Sequence, residues 1–278
     1  MSTRPYAGAV VAFATMHGKE QLAQHPFRDI LDAEVVAPTI DTDQFGTFSG
    51  EIVRTLRPRG AARVKARLGM ELAGTPYGLA SEGSFSSGLG FLVEHHEVLM
   101  FVDQTRALEL VEGTVTTSPL APGRRITTAD DALAYAASIG YPAQGVLLRG
   151  GATGQLVYKN LDTSAELSHT AARLLAAADD SPVTIAPDYR AHRCPSRAEV
   201  ITELAEAMAR RLATPCPSCD APGFGQVDVE RGLPCADCGL PTRVIAADTL
   251  GCGACDHTVR AARAEASASP QWCDFCNP

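Results

Sequence analysis

AVVAFATMHGKEQL, residues 9–22, carries the chain from an apolar run through a turn into a helical pattern. Ala9–Thr15 reads as a buried strand because it is short, continuous and apolar. Glu20–Leu31 reads as a helix interrupted near Pro26, since proline lacks the amide proton a helix interior needs. A strand that delivers directly into a helix is the first half of an α/β unit, and the same alternation runs on to Leu212. Ala33–Thr39 is a second strand. A polar stretch then leads into a helix from about Gly50 to Ala73, kinked or broken at Pro58. Tyr77–Ala80 is a short strand entering the glycine- and serine-rich SEGSFSSGLG, and EVLMFVDQTRALELVEGTV, residues 97–115, reads as two strands about a polar turn. Thr128 is placed to cap a helix whose first turn carries Asp130 and Asp131, with Gly140 closing it. Strands QGVLLRG and GQLVYKN, a helix over SAELSHTAARLLAAAD and a strand PVTIAP follow. The last helix, RAEVITELAEAMARRL, has an apolar stripe with its charges facing out. The fold class expected is α/β: a mixed sheet flanked by helices over residues 1–212, with a separate module at 213–278 where the composition changes abruptly.

The 278 residues are 45% hydrophobic and 20% charged, an ordinary globular balance with ample chain for a core. The net charge of −8 provides no general attraction for DNA or RNA. No apolar run approaches the roughly 20 residues of a spanning helix, and the N-terminus lacks the features of a secretory signal. A cytoplasmic protein without a membrane segment is expected.

Eight of the nine cysteines fall after residue 215, as CPSC, CADC, CGAC and CDFC at 216–219, 235–238, 252–255 and 273–276. Each pair can present two thiolates on a tight turn, and two pairs complete a four-thiolate zinc site. Cys216, Cys219, Cys235, Cys238, Cys252, Cys255, Cys273 and Cys276 therefore imply two structural Zn2+ ions in a double zinc ribbon. So little apolar side chain could hardly fold without them. Sequential pairing is the first choice (216/219 with 235/238, and 252/255 with 273/276), with nested and interleaved pairings left open. From Thr214 onward there are four Arg and no Lys against eight Asp and Glu, so the formal charge is −4, or −8 with two four-thiolate zinc centres. Phosphate backbones require a basic face, so a structural or protein-docking role is favoured over nucleic-acid binding. Cys194, apart from the others, reads as a buried structural thiol.

Polar groups concentrate in four segments where apolar periodicity stops. TMHGK follows the first strand, and ligands of open α/β sheets collect beyond the strand carboxyl ends. Thr15, His17, Gly18 and Lys19 are candidates there, although a plain surface turn explains the segment equally well. It contains no Walker pattern. DTDQFGTFSGE contributes Asp43 and Glu51, and ASEGSF contributes Ser81 and Glu82, carboxylates able to hold Mg2+ or act as bases. APDYRAHRCPSR contributes Arg190, suited to a phosphate or carboxylate, and His192, a proton carrier or a plain surface imidazole.

Together MHGKE, TDQFGTFSGE, ASEGSF, DYRAH-x-x-P-S-R and CPSC…GLPCADCG…CDFCNP resemble an uncharacterised bacterial family known as a domain of unknown function. That resemblance implies one architecture joining these segments to the zinc tail. Over about a third of the chain the order strand, T-x-x-x-K, helix, acidic loop and acid-glycine turn is similar to the inosine/xanthosine triphosphate pyrophosphatases. That likeness implies phosphate contacts from Thr15 and Lys19 and Mg2+ held by Glu51 and Glu82. It departs from the pyrophosphatase pattern at Met16 and His17, where asparagine is usual, and no base-recognition region aligns after Arg106. TTADDALAYAASIGYPAQGVLLRGGATGQLVYKN also resembles one subdomain of ATP-grasp enzymes, without that fold's later metal ligands.

The function expected is a metal-dependent phosphohydrolase acting on a nucleotide or related phosphorylated small molecule. Lys19, Glu51, Glu82, His17 and His192 form its catalytic set, and Thr15, Gly18, Lys19, Asp43, Ser81 and Arg190 its substrate contacts. The alternatives are a non-catalytic nucleotide-like ligand sensor that docks a protein partner through the zinc module, and a nucleic-acid-processing protein.

Overall fold

In a computed structural model of the chain, residues 4–16, 18–40, 56–87, 93–118, 120, 122–150, 156–178 and 181–278 are described. The opening stretch folds as its pattern dictates, with strand β1 at Val10–Phe13 and helix α1 at Glu20–Pro26. Pro26 ends the α-helix. Having no N–H for the Leu22 carbonyl, it is followed by a wider π turn over Phe27–Leu31, which ends at left-handed Asp32. Strand β2, Glu34–Val36, then lies parallel to β1. Helix α2 spans Pro58–Ala73, with Pro58 in the first turn, where a missing N–H costs nothing, and left-handed Gly74 after its end. The helical reading of 50–55 lies outside the described residues.

Strand β3 covers Tyr77–Ser87, so SEGSF continues the strand and is not a loop. It lies parallel to β1 and antiparallel to β4, Val93–Asp103, which in turn pairs with β5, Leu108–Ser118. The resulting order β2-β1-β3-β4-β5 is the expected mixed sheet. On one face Ala62, Ala66 and Met70 of α2 meet Ala80, Met100 and Val102. On the other, α1 and helix α5, Pro195–Leu212, bury Phe13, Leu79, Leu99 and Phe101 beneath Leu204, Ala205 and Met208. Because β1 pairs no further along β3 than Phe13 with Leu79, β3 and β4 overhang its carboxyl end.

Between β5 and α5 the chain builds a second sheet, not separable from the first by pattern alone. Its elements are β6 (Arg124–Ile126), α3 (Ala129–Ser138), β7 (Val146–Gly150), β8 (Leu156–Tyr158), α4 (Ser164–Ala176) and β9 (Val183–Pro187), in the antiparallel order β6-β9-β7-β8. It has its own core of Ile126, Val146, Leu148, Val183 and Ile185 under α3 and α4. Thr128 and Asp131 form a full capping box on α3, and Thr163 and Glu166 do the same on α4.

The tail is a three-stranded antiparallel sheet, β10 (Gly225–Arg231), β11 (Ile245–Gly251) and β12 (Thr258–Ala262). It is fastened to the mixed sheet by Arg211, which donates to Glu112 at 2.8 Å and to the Gly223 carbonyl at 3.1 Å. Among the described residues, no helix is long and apolar enough to cross a membrane.

Candidate metal centres and a buried charge cluster

The four C-x-x-C turns gather into two sets, Cys216, Cys219, Cys252 and Cys255, and Cys235, Cys238, Cys273 and Cys276. The pairing is interleaved, which corrects the sequential order. The reason is the strand meander. Antiparallel β10 and β11 set Gly225 opposite Gly251, so the turn before β10 meets the turn after β11. The turn between β10 and β11 lies at the other end of the sheet. Strand β12 carries the chain back to that end, pairing Ala262 with Ala247, and delivers the last turn there. After the second cysteine of the first two turns, the chain bends back through a left-handed residue, Asp220 and Gly239.

Sulfur separations between the paired turns are 3.8 Å (Cys216–Cys255), 3.7 Å (Cys219–Cys252), 3.9 Å (Cys235–Cys276) and 3.6 Å (Cys238–Cys273), and the cysteines are all free. These separations are far beyond a disulfide bond of about 2.05 Å. They match the roughly 3.8 Å edge of a tetrahedron whose metal–sulfur distance is about 2.3 Å. The amides of Ser218 and Ala254 point at the Cys216 and Cys252 sulfurs at 3.5 and 3.3 Å, the outer-shell support typical of thiolate ligands. Donor set and geometry both fit two structural Zn2+ ions. All four positions in each site are protein sulfurs, so the centres are closed and leave no position for a substrate.

The second polar feature lies under the β3–β4 overhang. Strand alternation puts Ser81, Gly83 and Phe85, with His95 and Glu97, on the α5 side, and Glu82 on the α2 side. Arg197, in the first turn of α5, is 1% exposed and grips the fully buried Glu97 with Nε at 2.8 Å and a second nitrogen at 3.1 Å. His95 adds a bond from Nε2 to Glu97 at 2.9 Å, which places the ring proton on that nitrogen because an ionised carboxylate only accepts. A third guanidinium bond goes to the Tyr189 carbonyl at 2.8 Å. Gly83 makes room for the pair: a Cβ there would fall 2.1 Å from a Glu97 carboxylate oxygen. Phe85 stacks between His95, at 4.3 Å, and Tyr189, at 3.8 Å, and closes the outer end. Burial alone would raise the Glu97 pKa. The Arg197 charge, with hydrogen bonds from His95 and Arg197, overrides it and holds the carboxyl down at about 2.

Lys19 lies at the mouth of this cluster. Its ammonium donates to Ser81 Oγ at 3.0 Å and approaches the Ser81 carbonyl at 3.4 Å. Among the described residues, no carboxylate comes within ion-pair distance of it. Burial pulls its pKa down to about 8; the Arg197 and Lys65 charges push the same way, and Glu97 and Glu82 push back. On the α2 face, buried Lys65 is in direct contact with buried Glu82.

Of the residues singled out in sequence, Lys19 and Ser81 touch, Glu82 stands next in the strand on the opposite face, and Thr15 is buried just past β1. Gly18 occupies the left-handed turn before Lys19, at φ +69°. Arg190 is turned elsewhere, held by Asp188 at 3.0 Å and by Asn160 at 2.7 Å, and His192 is exposed on a short 3-10 turn. His17, Asp43 and Glu51 lie outside the described residues. Cys194 is buried beside Ser196, as a structural thiol should be.

Pattern reading passed over Lys65, His95, Glu97 and Arg197, although two signals were present. In VEHHEVLMF the inward alternation of Leu99 and Phe101 extends back through Glu97 to His95. On α5, Arg197 stands four residues before Ile201 and so continues the apolar stripe.

A cavity of about 1070 Å³ lies elsewhere, between α2, the β4–β5 turn and the cysteine turn at Gly253. Two of its carboxylates are already held, Glu109 by Arg63 and Arg67, and Asp103 by Tyr6, Thr105 and Arg106. Lys19, which has no carboxylate within ion-pair distance among the described residues, is the better candidate for contacting a ligand.

No curated protein matches this sequence. A family model does, over residues 65–278, a range that takes in β3, β4, α5 and both cysteine clusters but not Lys19. The chain belongs to the family described as a domain of unknown function, DUF6671.

Proposed function

We propose that the α/β part binds a phosphorylated small molecule of nucleotide type, with Lys19 as the phosphate-contacting cation. The observation that carries this reading is the set of partners around Lys19 beneath the overhang. Among the described residues Lys65 pairs with Glu82 and Arg197 with Glu97, while half-buried Lys19 has a hydroxyl and a carbonyl as partners and no carboxylate within ion-pair distance. A bound phosphate would give Lys19 a counter-charge and take Ser81 Oγ as an added donor. The place is the crevice beyond the carboxyl end of β1, where α/β sheets collect ligands.

The catalytic form of this reading is a metal-dependent phosphohydrolase, with Glu82 joined by Glu51 and Asp43 around Mg2+, and His17 or His192 moving the proton. The non-catalytic form, a ligand sensor, is favoured by one contact, since the Glu82 carboxylate is committed to Lys65 rather than open to a cation. The zinc module would then dock a protein partner. Its acidity and the exposed Trp272 and Phe275, at 55% and 72%, support that role.

A thermal-shift panel of nucleotides and sugar phosphates, with and without Mg2+, tests the binding. At least one compound should stabilise the protein, and Lys19→Ala should abolish the shift. Because Lys19 is charged below about pH 8, affinity should hold at lower pH and fall as pH rises through that value, once the ligand's own titration is subtracted. A panel without a hit, or a shift untouched by Lys19→Ala, sinks the proposal. Release of phosphate or pyrophosphate from the stabilising compound separates the catalytic form from the sensor.

A further inference from the structure

The second sheet carries a separate feature. Ile126, Val183, Ile185, Val146 and Leu148 are buried beneath α3 and α4, so alternation turns Arg125, Thr184 and Arg149 to the opposite face. Strand register puts these three in one lateral row, because Arg125 of β6 and Arg149 of β7 both pair with Thr184 of the intervening β9. With neighbouring strands about 4.8 Å apart, the two arginine backbones stand roughly 10 Å from each other with a hydroxyl between them. The row walls a depression of about 320 Å³ that, among the described residues, no Asp or Glu lines.

The floor beside the row is flat because it lacks side-chain bulk. Gly123 presses onto β9 so closely that a Cβ would fall 2.7 Å from that of Ala186. Neither Arg125 nor Arg149 forms an ion pair with a carboxylate among the described residues. Arg124, next in sequence, is spent differently, over the Tyr135 ring and against the Asp131 carbonyl on the helix side. Two like charges set across one strand repel each other unless an anion lies between them. In a chain of net charge −8, an acid-free pair of arginines flanking a hydroxyl is a local reversal of the field.

We infer that the Arg125–Thr184–Arg149 row is a second anion site, one that takes the phosphate or diphosphate group of a small molecule. The two guanidiniums would clamp the non-bridging oxygens from either side and the Thr184 hydroxyl would donate from below. The size selects the class: about 320 Å³ is at the lower limit of small-molecule sites and too short to track a nucleic-acid strand.

The test titrates inorganic pyrophosphate by calorimetry at low ionic strength into the full-length, zinc-loaded chain carrying Lys19→Ala, so that the Lys19 crevice does not contribute. One saturable binding event is expected. Arg125→Ala and Arg149→Ala should each weaken it about tenfold or more, Arg→Lys replacements should lose less, and the double alanine variant should abolish it without lowering the melting temperature of the free protein. If Lys19→Ala does not fold, the comparison moves to the chain with Lys19 intact, where the double variant must remove a pyrophosphate-binding event. Binding unchanged in the double variant, or no binding beyond what Lys19 accounts for, overturns the inference. So does a single-stranded oligonucleotide that displaces pyrophosphate and loses its own binding in the same arginine variants.

Discussion

Arg197 and Glu97 are almost wholly removed from water and reach each other from positions 100 residues apart in the chain. The cysteine clusters join turns only 33 to 41 residues apart, around a sheet whose β10 buries none of its residues. Both regions hold polar groups in fixed positions, by opposite means. In the α/β part a packed core of Leu79, Leu99, Phe101 and Leu204 fixes the backbone, and the ion pair survives because low-dielectric surroundings and three donors satisfy Glu97. In the tail little apolar surface is buried, and the two four-cysteine clusters are compatible with metal–thiolate bonds that would supply the folding free energy. The first region should tolerate loss of metal and fail when its charges are unbalanced; the second should do the reverse.

The largest effect that can break this comparison is metal removal. Structural zinc is worth roughly 10–16 kcal/mol to small zinc modules, so a strong chelator should unfold residues 214–278 and leave the mixed sheet intact. Limited proteolysis should cut beyond Ala213 and spare the preceding part, and mass spectrometry of the untreated protein should count two zinc ions per chain. Paired serine substitutions sharpen the topology. Cys216→Ser with Cys252→Ser should cost one ion, whereas Cys216→Ser with Cys235→Ser should cost both. The opposite pattern would restore sequential pairing.

Next in size is the buried pair. Arg197→Met leaves Glu97 without its counter-charge, a loss of about 3–5 kcal/mol in urea unfolding for broken pairs of this kind, while Arg197→Met with Glu97→Leu should recover much of it. A double variant as unstable as the single one would show that the pair contributes more than mutual compensation. The pH dependence follows from the same carboxyl. Its folded pKa is depressed from about 4.5 to about 2, so its contribution is complete above the unfolded value and is lost as pH falls between those limits. Acid titration of wild type against the double variant should isolate that window. The smallest effect belongs to the helix caps: Thr128→Ala removes one hydroxyl acceptor from α3 and should cost about 1 kcal/mol, with the zinc module unaffected.

How much of this was legible in sequence varies with the range of the interaction. The strand β1, the capped helix α3 and the hairpin of β4 and β5 are written in local patterns, and they fold as read. SEGSF read as a loop because glycine and serine dominate it. It is strand because β4 pairs with it residue for residue out to Ser87, and Gly83 is there to admit the Glu97 carboxylate. Pro26 read as an interruption, and the α-helix does end there; that a π turn continues to Leu31 was not legible, because α5 packs on both α1 and that turn.

The sequence by itself determined the α/β class, the eight metal-ligating cysteines and the prominence of Lys19, because spacing and residue chemistry are local properties that survive without coordinates. Only the tertiary structure decided which cysteine turns share a metal, since that depends on the direction of three strands. It alone brought Arg197 to Glu97, set Lys19 against Ser81, sent Arg190 to Asp188 and aligned Arg125 with Arg149 across Thr184. Each of those is a pairing between distant segments, and a charge reveals its partner only when packing has chosen which groups leave water together.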